Sequence, residues 1–175
     1  FKNKKVILFA PTFRGKGQKT AYYDYDLIDF NLIKKKFSKD YVFLVKMHPF
    51  IKKLPDIDFE NDDFYYNLSS EREINDLLFI TDILITDYSS VIFEYSFFKK
   101  PVIFYIPDYE NYDGSRGFYY PFSKYTYGDI AKNNKELINL IENSKVNKKK
   151  LQEFFDYFCG ACDGKSTERV VKKLI

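Results

Sequence analysis

Tryptophan is missing from the 175 residues, histidine and methionine occur once each, and cysteine occurs twice. The two cysteines, Cys159 and Cys162, are spaced Cys-Gly-Ala-Cys. A zinc site would need a second such pair, and a thioredoxin-like motif would sit at the start of a βαβ unit rather than late in a helical region. Both read as reduced packing cysteines of a cytosolic protein. No apolar run approaches the roughly 18–20 residues of a membrane span. No secretory signal is visible, and the chain opens at Phe1 without a methionine, which reads as a fragment. Charge of one sign is also lacking: 28 basic residues against 25 acidic leave a net charge of +3. That balance demands no nucleic-acid partner. Lysine clusters such as Lys34-Lys35-Lys36 and Lys148-Lys149-Lys150 read as solvated helix faces, with attraction to anionic lipid head groups as their functional alternative.

What is present is apolar and aromatic. Hydrophobic residues make up 45% and Phe plus Tyr 20%, which excludes disorder, and the length suits one domain with a substantial core. The organising stretch is Ile83 to Ser96. Ile83-Leu84-Ile85 has the look of a strand buried on both faces, and Thr86-Asp87-Tyr88-Ser89-Ser90 is a polar turn. Val91, Ile92, Tyr95 and Phe98 then fall at helical spacing. A strand entering a helix through a hydroxyl-rich turn aims unpaired N–H groups at one spot and favours an anion there. Ser89 or Ser90 acting only as a helix cap is the plainer reading of the same residues.

Other strands are expected at Val6–Ala10, Tyr41–Val45, Phe64–Tyr66 and Pro101–Tyr105. Helices are expected over the Leu27, Phe30, Ile33, Phe37 pattern, then Glu73–Ile80, Asn134–Asn143, Lys148–Phe158 and a final segment capped by Ser166 or Thr167. The alternation predicts an α/β fold with a doubly wound parallel sheet, whose ligands bind at the carboxyl edge of the strands. Three basic or titratable groups fall at that edge. Arg14 follows the first strand and offers a rigid donor fork to a phosphate or carboxylate. Lys46 and His48 follow the second, and His48, held ahead of Pro49, suits donation to a phosphate oxygen or a leaving group. Asp24-Tyr25-Asp26 has Asp-x-Asp spacing, but its place before a helical pattern is explained better by an N-cap. Pro107 to Gly128 reads as a long aromatic loop in which Arg116 is a candidate anion contact and Tyr and Phe stack on a base or on one another. Gly164-Lys165-Ser166 resembles the tail of a P-loop but lacks the upstream glycine and strand.

Five segments in order carry a resemblance: Ala10-Pro11-Thr12-Phe13-Arg14, Lys46-Met47-His48-Pro49, Thr86-Asp87-Tyr88-Ser89-Ser90, Arg116-Gly117-Phe118 and Asp163-Gly164-Lys165-Ser166 with Arg169. Together they resemble the C-terminal half of the CDP-glycerol glycerophosphotransferase family, the teichoic acid and capsule polymerases, over essentially the whole chain. The resemblance implies a GT-B architecture in which residues 1–175 form the Rossmann-like donor domain, with the acceptor domain absent from this chain. It implies His48 and Arg169 as catalytic groups, with Arg14, Lys46, Ser89, Ser90, Arg116 and Ser166 as donor-binding residues, and no metal or resident cofactor. The implied partners are a CDP-polyol donor, a polyol-phosphate polymer on a lipid carrier and the N-terminal domain of the same protein. The implied setting is cytoplasmic and peripheral on the inner membrane face, and the fragment alone is expected to turn over poorly or not at all. Alternatives are a GT-B glycosyltransferase or epimerase-like domain taking a UDP- or CMP-sugar, and a non-catalytic nucleotide-binding module.

Overall fold

A computed structural model describes residues 3–118 and 120–175, with the side chains of residues 113–116 and of Tyr125 outside the description. The elements run β1 (Lys5–Phe9), α1 (Phe30–Phe37), β2 (Tyr41–Val45), β3 (Tyr65–Asn67), α2 (Ile74–Ile80), β4 (Ile83–Thr86) and α3 (Val91–Ser96). They continue β5 (Val102–Tyr105), α4 (Tyr109–Arg116), α5 (Phe122–Tyr125), β6 (Asp129–Ala131), α6 (Asn134–Glu142), α7 (Lys148–Phe158) and α8 (Ser166–Leu174). Among the described residues, the strands form one sheet in the order β3-β2-β1-β4-β5-β6, with every pairing parallel. β1 and β4 meet at its centre through Ile7↔Ile83, Leu8↔Leu84 and Phe9↔Ile85. The expected α/β class and parallel sheet are therefore observed.

Burial on both faces explains why the strands are continuous apolar runs. Ile7, Phe9, Phe43, Val45, Ile85, Ile103 and Tyr105 point into one core, which α1 and α6 cover through Ile33, Phe37, Leu137 and Ile141. Leu8, Leu44, Leu84, Val102 and Phe104 point into the other, covered by α2, α3 and α7 through Leu78, Ile92, Tyr95, Leu151 and Phe154. Aromatic rings fill much of this space: Phe93 stacks on Phe154 at 5.4 Å, and Phe104 meets Tyr127 edge-on at 6.3 Å.

Helix starts follow short polar side chains. Asp29 accepts from the Leu32 N–H at 2.8 Å, Asn133 from Glu136 at 2.9 Å and Asn147 from Lys150 at 3.1 Å. Asp24 caps as expected, but the turn it caps is a separate 3-10 segment, Tyr25–Leu27, ahead of α1. At the far end, Lys165 rather than Ser166 or Thr167 occupies the cap of α8. The expected 107–128 loop is partly ordered into α4 and α5, and β6 follows it. Ahead of β6, a Cβ on Gly128 would lie 2.1 Å from the Val102 carbonyl oxygen, so only glycine fits that approach. Cys159 is buried as expected, whereas Cys162 is exposed. Residues 160–175 are exposed throughout, including the apolar Val170, Val171 and Leu174 of α8. No described helix is long and apolar enough to cross a membrane.

The β2–α1–β3 corner is tied by charge. Lys34 reaches Asp62 at 2.7 Å, and the same carboxylate accepts from the N–H groups of Phe64 and Tyr65 at 2.8 Å each. Burial pushes the Asp62 carboxyl up, but these donors outweigh it and hold it below the usual range. A carboxylate depressed in the folded state adds stability that is present above its unfolded value, 3.8, and is lost as pH falls through the folded value. Asp62→Asn should therefore lower the thermal midpoint at pH 7, and the gap between variant and parent should narrow as pH falls below about 4. A gap that stays constant down to pH 2 would show that Asp62 ionisation contributes nothing.

Candidate functional site

The candidate site lies at the carboxyl ends of β1, β4 and β5, where the strand order reverses and a crevice is expected. Here the crevice is plugged by a side chain. β1 leaves the sheet through Ala10, whose N–H still bonds the Ile85 carbonyl at 2.9 Å. The chain then turns so that Arg14 pairs antiparallel with Tyr22 and drives its guanidinium inward. Arg14 is only 8% exposed. Its Nε and Nη2 grip Asp108 at 2.6 and 3.0 Å, while Nη1 donates to Asp87 at 2.9 Å and to the Thr12 carbonyl at 3.0 Å. The rings of Tyr23, Tyr88 and Tyr112 surround the guanidinium at 5.4, 5.2 and 5.0 Å.

Asp87 is the second half of the plug and is 1% exposed. Its Oδ1 accepts from the Thr12 N–H at 2.8 Å, the Thr12 hydroxyl at 3.0 Å and the Tyr88 N–H at 2.6 Å. Desolvation pushes its carboxyl up, and Arg14 and the Thr12 N–H oppose that push. For Arg14, desolvation alone would lower the guanidinium, and the bonds and charges of Asp108 and Asp87 more than reverse it, so it stays charged. Every one of these contacts to Asp87 is a donor, which is the arrangement that suits an ionised carboxylate. The Tyr88 hydroxyl, raised by burial, stays neutral and donates to Asp108 at 3.4 Å.

Beyond the plug, the turn after β4 opens onto a cavity of about 260 Å³. Its polar wall is Asp87, Ser89 and Ser90, and its apolar wall includes Tyr88, Tyr112, Phe118 and Phe122. Tyr88 and Tyr112 stack at 3.8 Å and 19°, and Phe118 approaches Tyr112 at 5.8 Å. Gly117 supplies the left-handed turn, φ +67°, that brings Phe118 onto this wall. Ser89 Oγ accepts from the Val91 N–H at 3.3 Å, while Ser90 starts α3 without a side-chain cap bond. A wider cleft of about 1000 Å³ lies on the other side of the plug, lined by Arg14, Lys16, Asp24, Asp108 and Asn111. Tyr112 borders both spaces.

The expected site residues fall into distinct places. Ser89 and Ser90 line the aromatic cavity. Arg14 stands at the same edge, but its fork is spent on two carboxylates, so the expected anion contact is instead an internal clamp. Lys46 is buried, with its ammonium 3.4 Å from the Ser69 carbonyl, and burial lowers its pKa. His48 accepts from the Phe50 N–H through Nδ1 at 3.1 Å, which assigns the proton of a neutral ring to Nε2. Its ring rests between Phe13 and Phe50, each at 4.7 Å. Arg169 and Ser166 are together, 3.0 Å apart, on the exposed α7–α8 corner. There Arg169 holds both oxygens of Asp163 at 2.7 and 2.8 Å and the Ala161 carbonyl at 2.8 Å, rather than His48 or the Ser89 turn. The side chain of Arg116 lies outside the described residues. Sequence reasoning missed Asp108, Tyr112 and the clamp role of Asp87. An acid directly after a strand, Asp108 after Tyr105-Ile106-Pro107, was the available signal.

Comparison with known proteins gives consistent results. The family model described as CDP-Glycerol:Poly(glycerophosphate) glycerophosphotransferase matches residues 1–175. A teichoic acid poly(ribitol-phosphate) polymerase of Bacillus spizizenii is 45% identical over 99% of the chain, which spans 28% of that protein. A teichoic acid poly(glycerol phosphate) polymerase of the same organism is 36% identical over 99% of the chain, which spans 45% of it. Among solved structures, the wall teichoic acid polymerase TagF superimposes with a TM-score of 0.77 at 31% identity, covering 97% of this chain and 43% of that one. The chain thus spans less than half the length of these relatives.

Removing one donor from a buried carboxylate exposes its desolvation cost. Thr12→Val should destabilise the fold by about 1–3 kcal/mol in urea titration, because the Asp87 oxygen then loses the hydroxyl. An unchanged midpoint would mean that the Thr12 hydroxyl contributes nothing to holding Asp87.

Proposed function

We propose a function on one premise: the chain belongs to the CDP-glycerol:poly(glycerophosphate) glycerophosphotransferase family. Its role there is to hold a CDP-activated polyol phosphate while a hydroxyl of a growing polyol-phosphate polymer takes the phosphoryl group. The observation that carries this reading is the aromatic cavity beside the Ser89–Ser90 turn, at the carboxyl end of β4. A flat pyrimidine suits its stacked walls, and the serine hydroxyls and turn N–H groups suit phosphate oxygens. The higher identity to a ribitol-phosphate polymerase makes CDP-ribitol the first donor to try, ahead of CDP-glycerol.

In the proposed reaction the acceptor hydroxyl oxygen attacks the β-phosphorus of the donor. The bond from that phosphorus to the bridging oxygen breaks, and CMP leaves with the electron pair. The hydroxyl proton passes to a base, which we assign to the acceptor half of the longer protein. Charge accumulates on the diphosphate, and stabilising it is the task of the donor domain. His48 fits as a donor through Nε2–H. Arg169 fits as a cation that exchanges Asp163 for phosphate: the pair is exposed, and such pairs are worth about 0–1 kcal/mol, so the exchange is cheap. The same exchange at Arg14 would abandon buried carboxylates and is therefore excluded from the reading. The acceptor polymer is carried on lipid, so we place the working protein peripherally at the inner membrane face, serving a wall or capsular polymer.

Calorimetric titration with CDP-ribitol, CDP-glycerol, CDP, CMP and UDP tests the reading. Cytidine nucleotides should bind in preference to UDP, and His48→Ala and Arg169→Ala should each weaken binding about tenfold, or ~1.4 kcal/mol. Preference for UDP would replace the reading with a sugar-nucleotide transferase or epimerase. Loss of all nucleotide binding would leave a module without a donor site.

A further inference from the structure

The Arg14 clamp joins three segments that are distant in sequence, two of which build different walls of the cavity. Thr12 and Arg14 come from the β1 loop, Asp87 from the β4 turn, and Asp108 from the end of β5 just before α4. Asp87 and Tyr88 begin the serine turn, while Asp108 begins the segment that delivers Tyr112 and Phe118. Tyr88 links the two directly, since it stacks on Tyr112 and donates its hydroxyl to Asp108. The cavity's polar and aromatic walls are therefore fastened to one guanidinium, which itself lines the other cleft.

We infer that Arg14 and Asp108 are positioning residues of the donor site: their ion pair, shared with Asp87, locks the β4 turn against the α4 segment and so sets the distance between the serine hydroxyls and the aromatic wall. The inference rests on the reading that this cavity takes the donor nucleotide. Only arginine satisfies the geometry, because Asp108 is held by two parallel N–H donors at 2.6 and 3.0 Å while a third nitrogen faces Asp87. A lysine would keep the charge and lose the fork.

The full chain should be examined as parent, Asp108→Asn, Arg14→Lys and Asp62→Asn, with CDP as the probe. Asp62 lies outside the site, so its variant reports what a loss of stability alone does. Asp108→Asn and Arg14→Lys should raise the Kd for CDP tenfold or more at a temperature where all four proteins are folded by circular dichroism, whereas Asp62→Asn should leave it unchanged. Without ligand, amide hydrogen exchange over residues 87–90 and 109–112 should speed up together in Asp108→Asn. Parental Kd values in both clamp variants would overturn the inference, as would faster exchange in only one of the two segments. Should the parent itself fail to bind CDP, the donor reading falls, and exchange still decides separately whether the clamp couples the two walls.

Discussion

One buried guanidinium holds the ligand edge of this domain together. A charge with 8% exposure is tolerable only when paired and hydrogen-bonded, and Arg14 meets that demand with Asp87, Asp108 and Thr12. The demand is mutual, since Asp87 is as deeply buried and would be left uncompensated without it. Breaking a buried pair of this kind costs about 3–5 kcal/mol, a large share of a typical domain's stability. The loops after β1, β4 and β5 are consequently less free than loops usually are. Hydrophobic burial shapes the two cores, but it has no means of setting the register of polar turns above the sheet. That register comes from the ion network.

The contrast between the two arginines follows from the same physics. Arg14 and Arg169 both bind aspartate at salt-bridge distance, 2.9 and 2.7 Å. Around Arg14 there is little water to replace a lost partner, so the contact is architectural. Arg169 sits on an exposed corner where water can replace a lost partner, so the contact is exchangeable. Residue type and motif position treat the two alike, and only burial separates the fixed pair from the exchangeable one.

This bears on what could be read in advance. The central strands were legible because a sheet covered on both faces needs uninterrupted apolar runs, and Ile83–Ile85 and Val42–Val45 are such runs. The serine turn was legible because small hydroxyl residues between an apolar run and a helical pattern mark where the strand ends and the helix begins. β6 was not, because Asp129-Ile130-Ala131 is short, lies at the sheet edge and has no apolar run. The helices α4 and α5 were hidden in a segment rich in Tyr, Gly and Asp, whose local preferences favour turns. The pairing of Asp108 was hidden for a deeper reason: its partner Arg14 is 94 positions away, and nothing local in either segment announces the pair. His48 was located correctly at a strand end, but its aromatic flanks, Phe13 and Phe50, come partly from the β1 loop and could not be anticipated.

The strand order has a consequence for how the site comes into being. β1 and β4, adjacent at the centre of the sheet, belong to separate halves of the chain: β1, β2 and β3 precede α2, and β4, β5 and β6 follow it. Arg14 sits on the first half and both of its carboxylates on the second. Every residue lining the cavity belongs to the second half, so the first half contributes the guanidinium that fastens the walls rather than any part of them. Fastening of those walls is thereby linked to the pairing of β1 with β4, and a chain with only the second set of strands paired would carry the lining without its clamp.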